Sequence, residues 1–208
     1  MMKLRPTSRF LRNEKGSLSV EACFAVPILA WAIAATLVFF DAFKTLNLAQ
    51  KATYTVADMI SREETAVDEN YILALHETFD YLAGDDAGIN AIRVSVVEMV
   101  VDPVTGDPAL ELIWSEGVNY DDLTDLEPIR DRIPGISPGE QLVVVESVQQ
   151  WQPAISVGPV QYQFREVALA RPRFAPRICW ETTDGCTTNL PAPSDGSTDD
   201  GSVDGSAT

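Results

Sequence analysis

The hydrophobic pattern divides the chain into an apolar block, a long helical stripe and a series of period-two segments. The block runs from Ala22 to Phe40, nineteen residues with no charge, no Gly and one Pro, Pro27. Nineteen helical residues span about 28 Å, close to the hydrocarbon thickness of a bilayer. Core helices show one apolar stripe, whereas this block is apolar on every side and reads as a membrane span. The stripe comprises Ala35, Phe39, Ala42, Leu46, Ala49, Thr53, Val56 and Ile60, spaced alternately by four and three. That is the spacing of a coiled-coil seam, and it passes the end of the block without a break. No Gly or Pro occurs between Ile28 and Ala83. One continuous helix is therefore expected over about 18–62, roughly 68 Å long. Its seam would pack on other subunits or, along its outer half, on the chain's own body, and the spacing leaves both open.

The sequence Ser61-Arg62-Glu63-Glu64 has capping-box spacing and predicts a new helix start. A second helix is expected over 67–83, with Ile72, Leu75, Phe79 and Leu82 on its apolar face and Gly84 as its stop. His76 lies beside that face, where a lone His is a surface or packing residue rather than a ligand. Period two then takes over. A hairpin is expected between 89–101 and 109–116, with Leu110, Leu112 and Trp114 facing one way, and the doubled Val96-Val97 marks a candidate bulge. Asp102 and Asp107 sit in its turn, where Asp is common for its side-chain bonds to the backbone. A short helix is expected near 122–132, then strands from Leu142 to Trp151 and from Val160 to Arg165. The fold class is thus α+β. A long N-terminal helix leads to a second helix packed on a roughly four-stranded antiparallel sheet.

Charge gives the chain a direction. The net charge is −16, but residues 1–16 carry five bases and one acid, a net +4, which leaves ten bases, thirty acids and −20 for the rest. The basic flank places the N-terminus in the cytoplasm by the positive-inside rule, with everything beyond residue 41 across the membrane. A cleaved secretory signal is the rival reading, with Ala30-Trp31-Ala32 or Ala32-Ile33-Ala34 as sites. Against it, the apolar run continues to Phe40. The acidic body argues against a nucleic-acid partner. No nucleotide-binding Gly loop, Cys-x-x-Cys or Gly-x-Ser-x-Gly is present, and one His leaves little for a His-dependent nucleophile. The expectation is a non-enzymatic chain with no cofactor and no metal. Cys179 and Cys186 flank six residues, and an extracytoplasmic location favours a disulfide worth about 2–3 kcal/mol by loop closure. From about Asn189 the chain is Pro, Ser, Gly, Thr and Asp with no base, a composition that favours disorder.

The junction before the apolar block reads Lys15-Gly16-Ser17-Leu18-Ser19-Val20-Glu21. Basic leader, Gly, four residues, Glu and an apolar helix together resemble the processing junction of type IV prepilins and pseudopilins. The wider stretch from Gly16 to Pro27, with Val-Glu and a Pro six positions after Glu21, resembles the N-terminal signature of the TadE/TadG-like proteins of tight-adherence (Flp) pilus systems. The match covers about residues 9–64. It implies a cut after Gly16 that makes Ser17 the first mature residue. It also implies that Glu21 sets register by compensating a neighbouring subunit's N-terminal amine. Processed members usually carry an aromatic residue directly after the Glu, where this chain has Ala22 and then Phe24 two positions further on.

The expected organisation is a basic cytoplasmic leader (1–16), a transmembrane helix (17–41), an extracytoplasmic pilin-like α+β domain (42–180) and an acidic, mostly disordered tail (181–208). The resemblance implies a single-pass inner-membrane component of a pilus assembly or secretion apparatus. Its partners would be other pilus or pseudopilin subunits, inner-membrane assembly proteins and a prepilin peptidase. Two alternatives stand beside it, a single-pass periplasmic adaptor of the envelope and, less favoured, a secreted enzyme freed by signal cleavage.

Overall fold

The computed structural model describes residues 17–84, 90–102, 104–155 and 162–181. The first element, α1, is a 45-residue helix, Ser17–Ser61, about 68 Å long. Pro27 lies inside it. Its missing N–H removes one helical bond, a loss that membrane helices tolerate better than exposed ones. The helix ends where Ser61 is drawn into its own last turn, donating its hydroxyl to the Asp58 carbonyl at 2.8 Å. The expected capping box at Ser61 therefore does not form. In the link that follows, Glu63 accepts from the Thr65 hydroxyl at 2.6 Å. The cap of the second helix, α2 (Glu69–Ala83), is Asp68, whose carboxylate accepts from the Tyr71 N–H. Gly84 closes α2 in the left-handed region at φ 75°, and its N–H bonds Asp80 O. The buried face of α2 is Ile72, Leu75, Phe79 and Ala83. Leu82, expected on that face, is 37% exposed.

Four antiparallel strands follow: β1 (Ala91–Val101), β2 (Pro108–Val118), β3 (Gln141–Trp151) and β4 (Tyr162–Ala170), in the order β2-β1-β3-β4. The order explains the sequence pattern. The central strands β1 and β3 are covered on both faces, and their Val runs, Val96-Val97 and Val143-Val144-Val145, interrupt the alternation. The edge strands alternate because each has one drier face. One face of the sheet packs on both helices, where Ile92, Val94, Val96, Val143 and Val145 meet Val56, Ile60 and Phe79. The connection between β2 and β3 covers the other face, laying Leu123, Ile129 and Ile136 on Val97, Leu142 and Val144.

Two local expectations change and a third is refined. The bulge expected at the doubled Val96-Val97 is present, between the pairs Val96–Trp114 and Val97–Leu112, with its extra residue, Ile113, on the partner strand β2. Trp114 thereby joins the helix-side core while Leu110 and Leu112 join the other, instead of all three facing one way. The helix expected at 122–132 is reduced to one 3-10 turn, Arg130–Arg132. Pro128 disfavours helix at the residue before it, and the Asp125 carboxylate takes the Glu127 N–H in a local turn. The start of the last strand at Val160 lies outside the described residues.

The chain returns over the far end of the helices after β4. Arg173 N–H bonds Ser61 O, Val67 N–H bonds Cys179 O, and Glu181 N–H bonds Val67 O. Trp180 stacks near Trp114 at 5.1 Å, and the Trp114 indole donates to Ile178 O. This strap closes the end of the body farthest from the apolar block.

Candidate functional site

The features that the sequence singles out are gathered along α1, and the structure divides them in two. Glu21 lies in the second turn and is exposed, as are Phe24, Val26, Ile28, Leu29 and Trp31 in the turns that follow. This half of the helix has the length and apolar composition to cross a membrane. Gly16 lies outside the described residues, and Ser17 opens α1. The leader 1–16 is likewise outside them, so the junction at Gly16 has no geometry to report.

The seam takes two environments. Ala49, Val56 and Ile60 are buried, together with Ala52, Thr53 and Ala57, beneath the sheet and α2 of the same chain. Small side chains let the sheet come close. The Thr53 hydroxyl donates to Ala49 O at 2.7 Å, so the single proton left for its 2.7 Å contact with Ser147 comes from the serine. Of the two packing partners open at the sequence level, the chain's own body takes the outer half. Lower down, Phe39 is 52% exposed, and Ala42 and Leu46 are half-buried.

At that lower level the body rests on the helix. The Trp151 indole N–H, at the end of β3, donates to the Asp41 carboxylate at 2.9 Å. Asp41 is the first residue past the apolar block. Val38, inside the block, is 5% exposed, so packing on α1 begins within the last turn of the block itself. An open groove of about 170 Å³ runs here, with Phe39, Ala42, Phe43 and Leu46 on one side. Its other wall is Trp151, Tyr162 and Phe164, with Tyr162 and Phe164 rings 5.1 Å apart. The sequence carries a signal for this groove in three aromatic residues at the adjoining ends of β3 and β4. Read strand by strand, they are only alternation.

A second arrangement that sequence reasoning missed holds the sheet's outer face. Arg93 grips the Glu146 carboxylate from across the β1–β3 ladder through Nε at 2.9 Å and through Nη2. The remaining guanidinium nitrogen, Nη1, donates to Asp121 O, and the Tyr120 ring lies 4.3 Å away. Nothing in the alternation marks Arg93 as buried, since a charge between Ile92 and Val94 reads as solvent-facing.

The other singled-out residues have local roles. His76 Nε2 donates to Asn90 O, and Nδ1 faces Asp80 at 3.5 Å. Asp102 accepts from the Val104 and Thr105 N–H groups in the β1–β2 turn, and these bonds hold its pKa below the usual carboxylate range. Among the described residues no three or more His, Cys, Asp or Glu are grouped to hold a metal. Cys23 is a free, exposed thiol and Cys179 is disulfide-bonded. Cys186 and the acidic tail lie outside the described residues.

Burial pushes the Tyr71 phenol up to about 12, with help from neighbouring Glu63. The Glu63 carboxyl is held low mainly by the Thr65 hydroxyl, and that of Asp68 by the Asn70 amide and the Tyr71 N–H. Glu116 is raised, first by burial and then by the charges of Asp122 and Glu69.

No protein-family model, no curated protein and no solved structure matches the chain.

Proposed function

We propose that this chain is a non-enzymatic, membrane-anchored component of a Tad/Flp-type pilus assembly or secretion apparatus. It would have residues 1–16 in the cytoplasm and its α+β body on the extracytoplasmic side. The observation that carries the reading is α1. It is one unbroken helix whose first half is exposed and apolar and whose second half is built into the body. The junction from Gly16 through Glu21 to Pro27 adds the resemblance to TadE/TadG-like proteins. In this reading the exposed half packs laterally on other subunits in the membrane. Glu21, a carboxylate near the apolar end, supplies the register contact, since an unpaired charge there is costly.

N-terminal sequencing of the protein isolated from its own host tests the processing step. A start at Ser17 supports the cut after Gly16. An intact leader removes processing and leaves the anchor, and a start near Ile33 or Ala35 removes the anchor as well. Glu21→Ala tests the register contact. Loss of partner co-purification and of pilus formation is expected, and retention of both reduces Glu21 to a boundary residue.

A second reading, a single-pass envelope adaptor, draws support from the seam. With Ala49, Val56 and Ile60 covered by the chain's own sheet, much of the stripe is closed to other helices. Co-purification that follows the body rather than the span distinguishes it from the first.

A further inference from the structure

The body's base carries an apolar groove that neither the anchor nor the register contact accounts for. Its height is set by the apolar block. Phe39 is inside the block, Phe43 is three residues past Phe40, and Leu46 is six past it, about 4.5 and 9 Å along the helix. A bilayer's polar boundary is about 5–8 Å thick on each side of its hydrocarbon core. The groove thus lies at the level where acyl chains give way to headgroups.

Its chemistry suits that level. Phe39, Phe43 and Tyr162 are each more than half exposed, and exposed aromatic surface of this kind is poorly accommodated by water. The Trp151 indole N–H, at the end of β3, is satisfied by Asp41. The groove is continuous with the exposed apolar surface of α1 through Phe39 and Phe40. Trp and Tyr are the residues enriched at membrane boundaries.

We propose that this groove seats the body on the bilayer. The glycerol and upper acyl region of lipids fills the space between Phe43 and Tyr162. The body is thereby held against the membrane at a fixed tilt instead of pivoting on α1. The Trp151–Asp41 bond fixes the sheet's end at the same height. The inference shares with the proposed function only the premise that α1 spans the membrane.

The test uses the full chain with Cys23→Ser, reconstituted in vesicles of equal parts phosphatidylcholine and phosphatidylglycerol. Single spin labels are placed at Tyr162→Cys, at Phe43→Cys, at Ile33→Cys inside the block and at Val104→Cys in the far turn. Collisional accessibility to oxygen and to a water-soluble nickel chelate is read by electron paramagnetic resonance. These positions are exposed, so labels there leave the core undisturbed. The expected result is oxygen-dominated accessibility at Ile33, Phe43 and Tyr162 and nickel-dominated accessibility at Val104. Nickel-dominated accessibility at Tyr162 with Ile33 still in lipid overturns the seat and leaves the anchor. Nickel-dominated accessibility at Ile33 overturns both. A Tyr162 label shielded from both reagents and dipolar-broadened would place a second copy in the groove, which also overturns the lipid seat.

Discussion

Replacing Arg93 by Met should expose how strongly the outer face of the sheet depends on one ion pair. The side chains of Arg93 and Glu146 are each only 8% exposed, and both guanidinium contacts fall on the same carboxylate oxygen. Removing the cation strands the carboxylate under the β2–β3 connection. Stranding one partner of a buried pair costs about 3–5 kcal/mol, far more than the ~1 kcal/mol at most of an exposed pair. Loss of the Tyr120 contact adds about 0.5–1 kcal/mol. Small domains have only about 5–15 kcal/mol in all, so Arg93→Met should be crippling. The double variant Arg93→Met, Glu146→Met removes both charges and keeps comparable volume. It should recover most of the loss, because a buried pair replaced by apolar residues is often neutral or better. The assay is urea unfolding of the full chain in detergent micelles, followed by near-ultraviolet circular dichroism. With m about 1–3 kcal/mol/M, the single variant should lose at least about 1 M in midpoint. A single-variant loss below ~1 kcal/mol would refute the reasoning by showing that water reaches Glu146. A double variant as damaged as the single would assign the cost to the lost Asp121 and Tyr120 contacts instead.

Three further outcomes can be checked by the same unfolding assay. Phe79→Ala should cost about 3–5 kcal/mol, because the ring is fully buried where α2 meets α1 and the sheet, and its cavity has no water to fill it favourably. Gly117→Ala should cost about 1–3 kcal/mol, since a Cβ there would lie 2.1 Å from Tyr120 O, a backbone atom that cannot swing aside; an unchanged midpoint would mean that the turn relaxes freely. Glu116→Gln should raise stability near pH 7 and change nothing below the carboxylate range. Its raised pKa means that the folded chain holds the proton more tightly than the unfolded one, so stability falls as pH rises through that range, and the amide removes the slope.

The fold was legible wherever one periodicity ruled a segment. The gap in Gly and Pro and the unbroken stripe predicted α1 to within a residue at each end. Gly84 marked the end of α2, and turn chemistry at Asp102 marked the hairpin. Legibility failed where several candidates compete for one job. Ser61 and Asp68 both precede helical sequence, and only the pull of Asp58 O on the Ser61 hydroxyl decides between them. It failed again where a partner far along the chain sets burial. Arg93 is dry because Glu146 and the 119–122 segment come to it, 53 and about 28 residues away. The apolar groove is the same case, assembled from two helix turns and two strand ends that meet only in the fold.

The composition of the seam bears on what α1 can do laterally. Ala49, Ala52, Thr53 and Ala57 would make a weak coiled-coil seam, because small side chains bury little area between two helices. Against a sheet the same residues have a different value. They allow β3 to approach until Thr53 and Ser147 share a 2.7 Å hydrogen bond, and they leave the large side chains, Val56 and Ile60, to fill the space toward Phe79 and Ile72. The outer stripe is thus matched to the chain's own sheet, which leaves two surfaces of α1 exposed. One is the exposed apolar half around Glu21. The other is the outward face of the outer half, where Tyr54 is 62% exposed and Met59 38%. Lateral packing in the membrane should therefore respond to substitutions in the first surface, such as Phe24→Ala or Leu29→Ala, without loss of body stability. Substitution of Ala49 or Ala57 by Leu should do the reverse, separating the sheet from α1 and lowering the unfolding midpoint before any partner is involved.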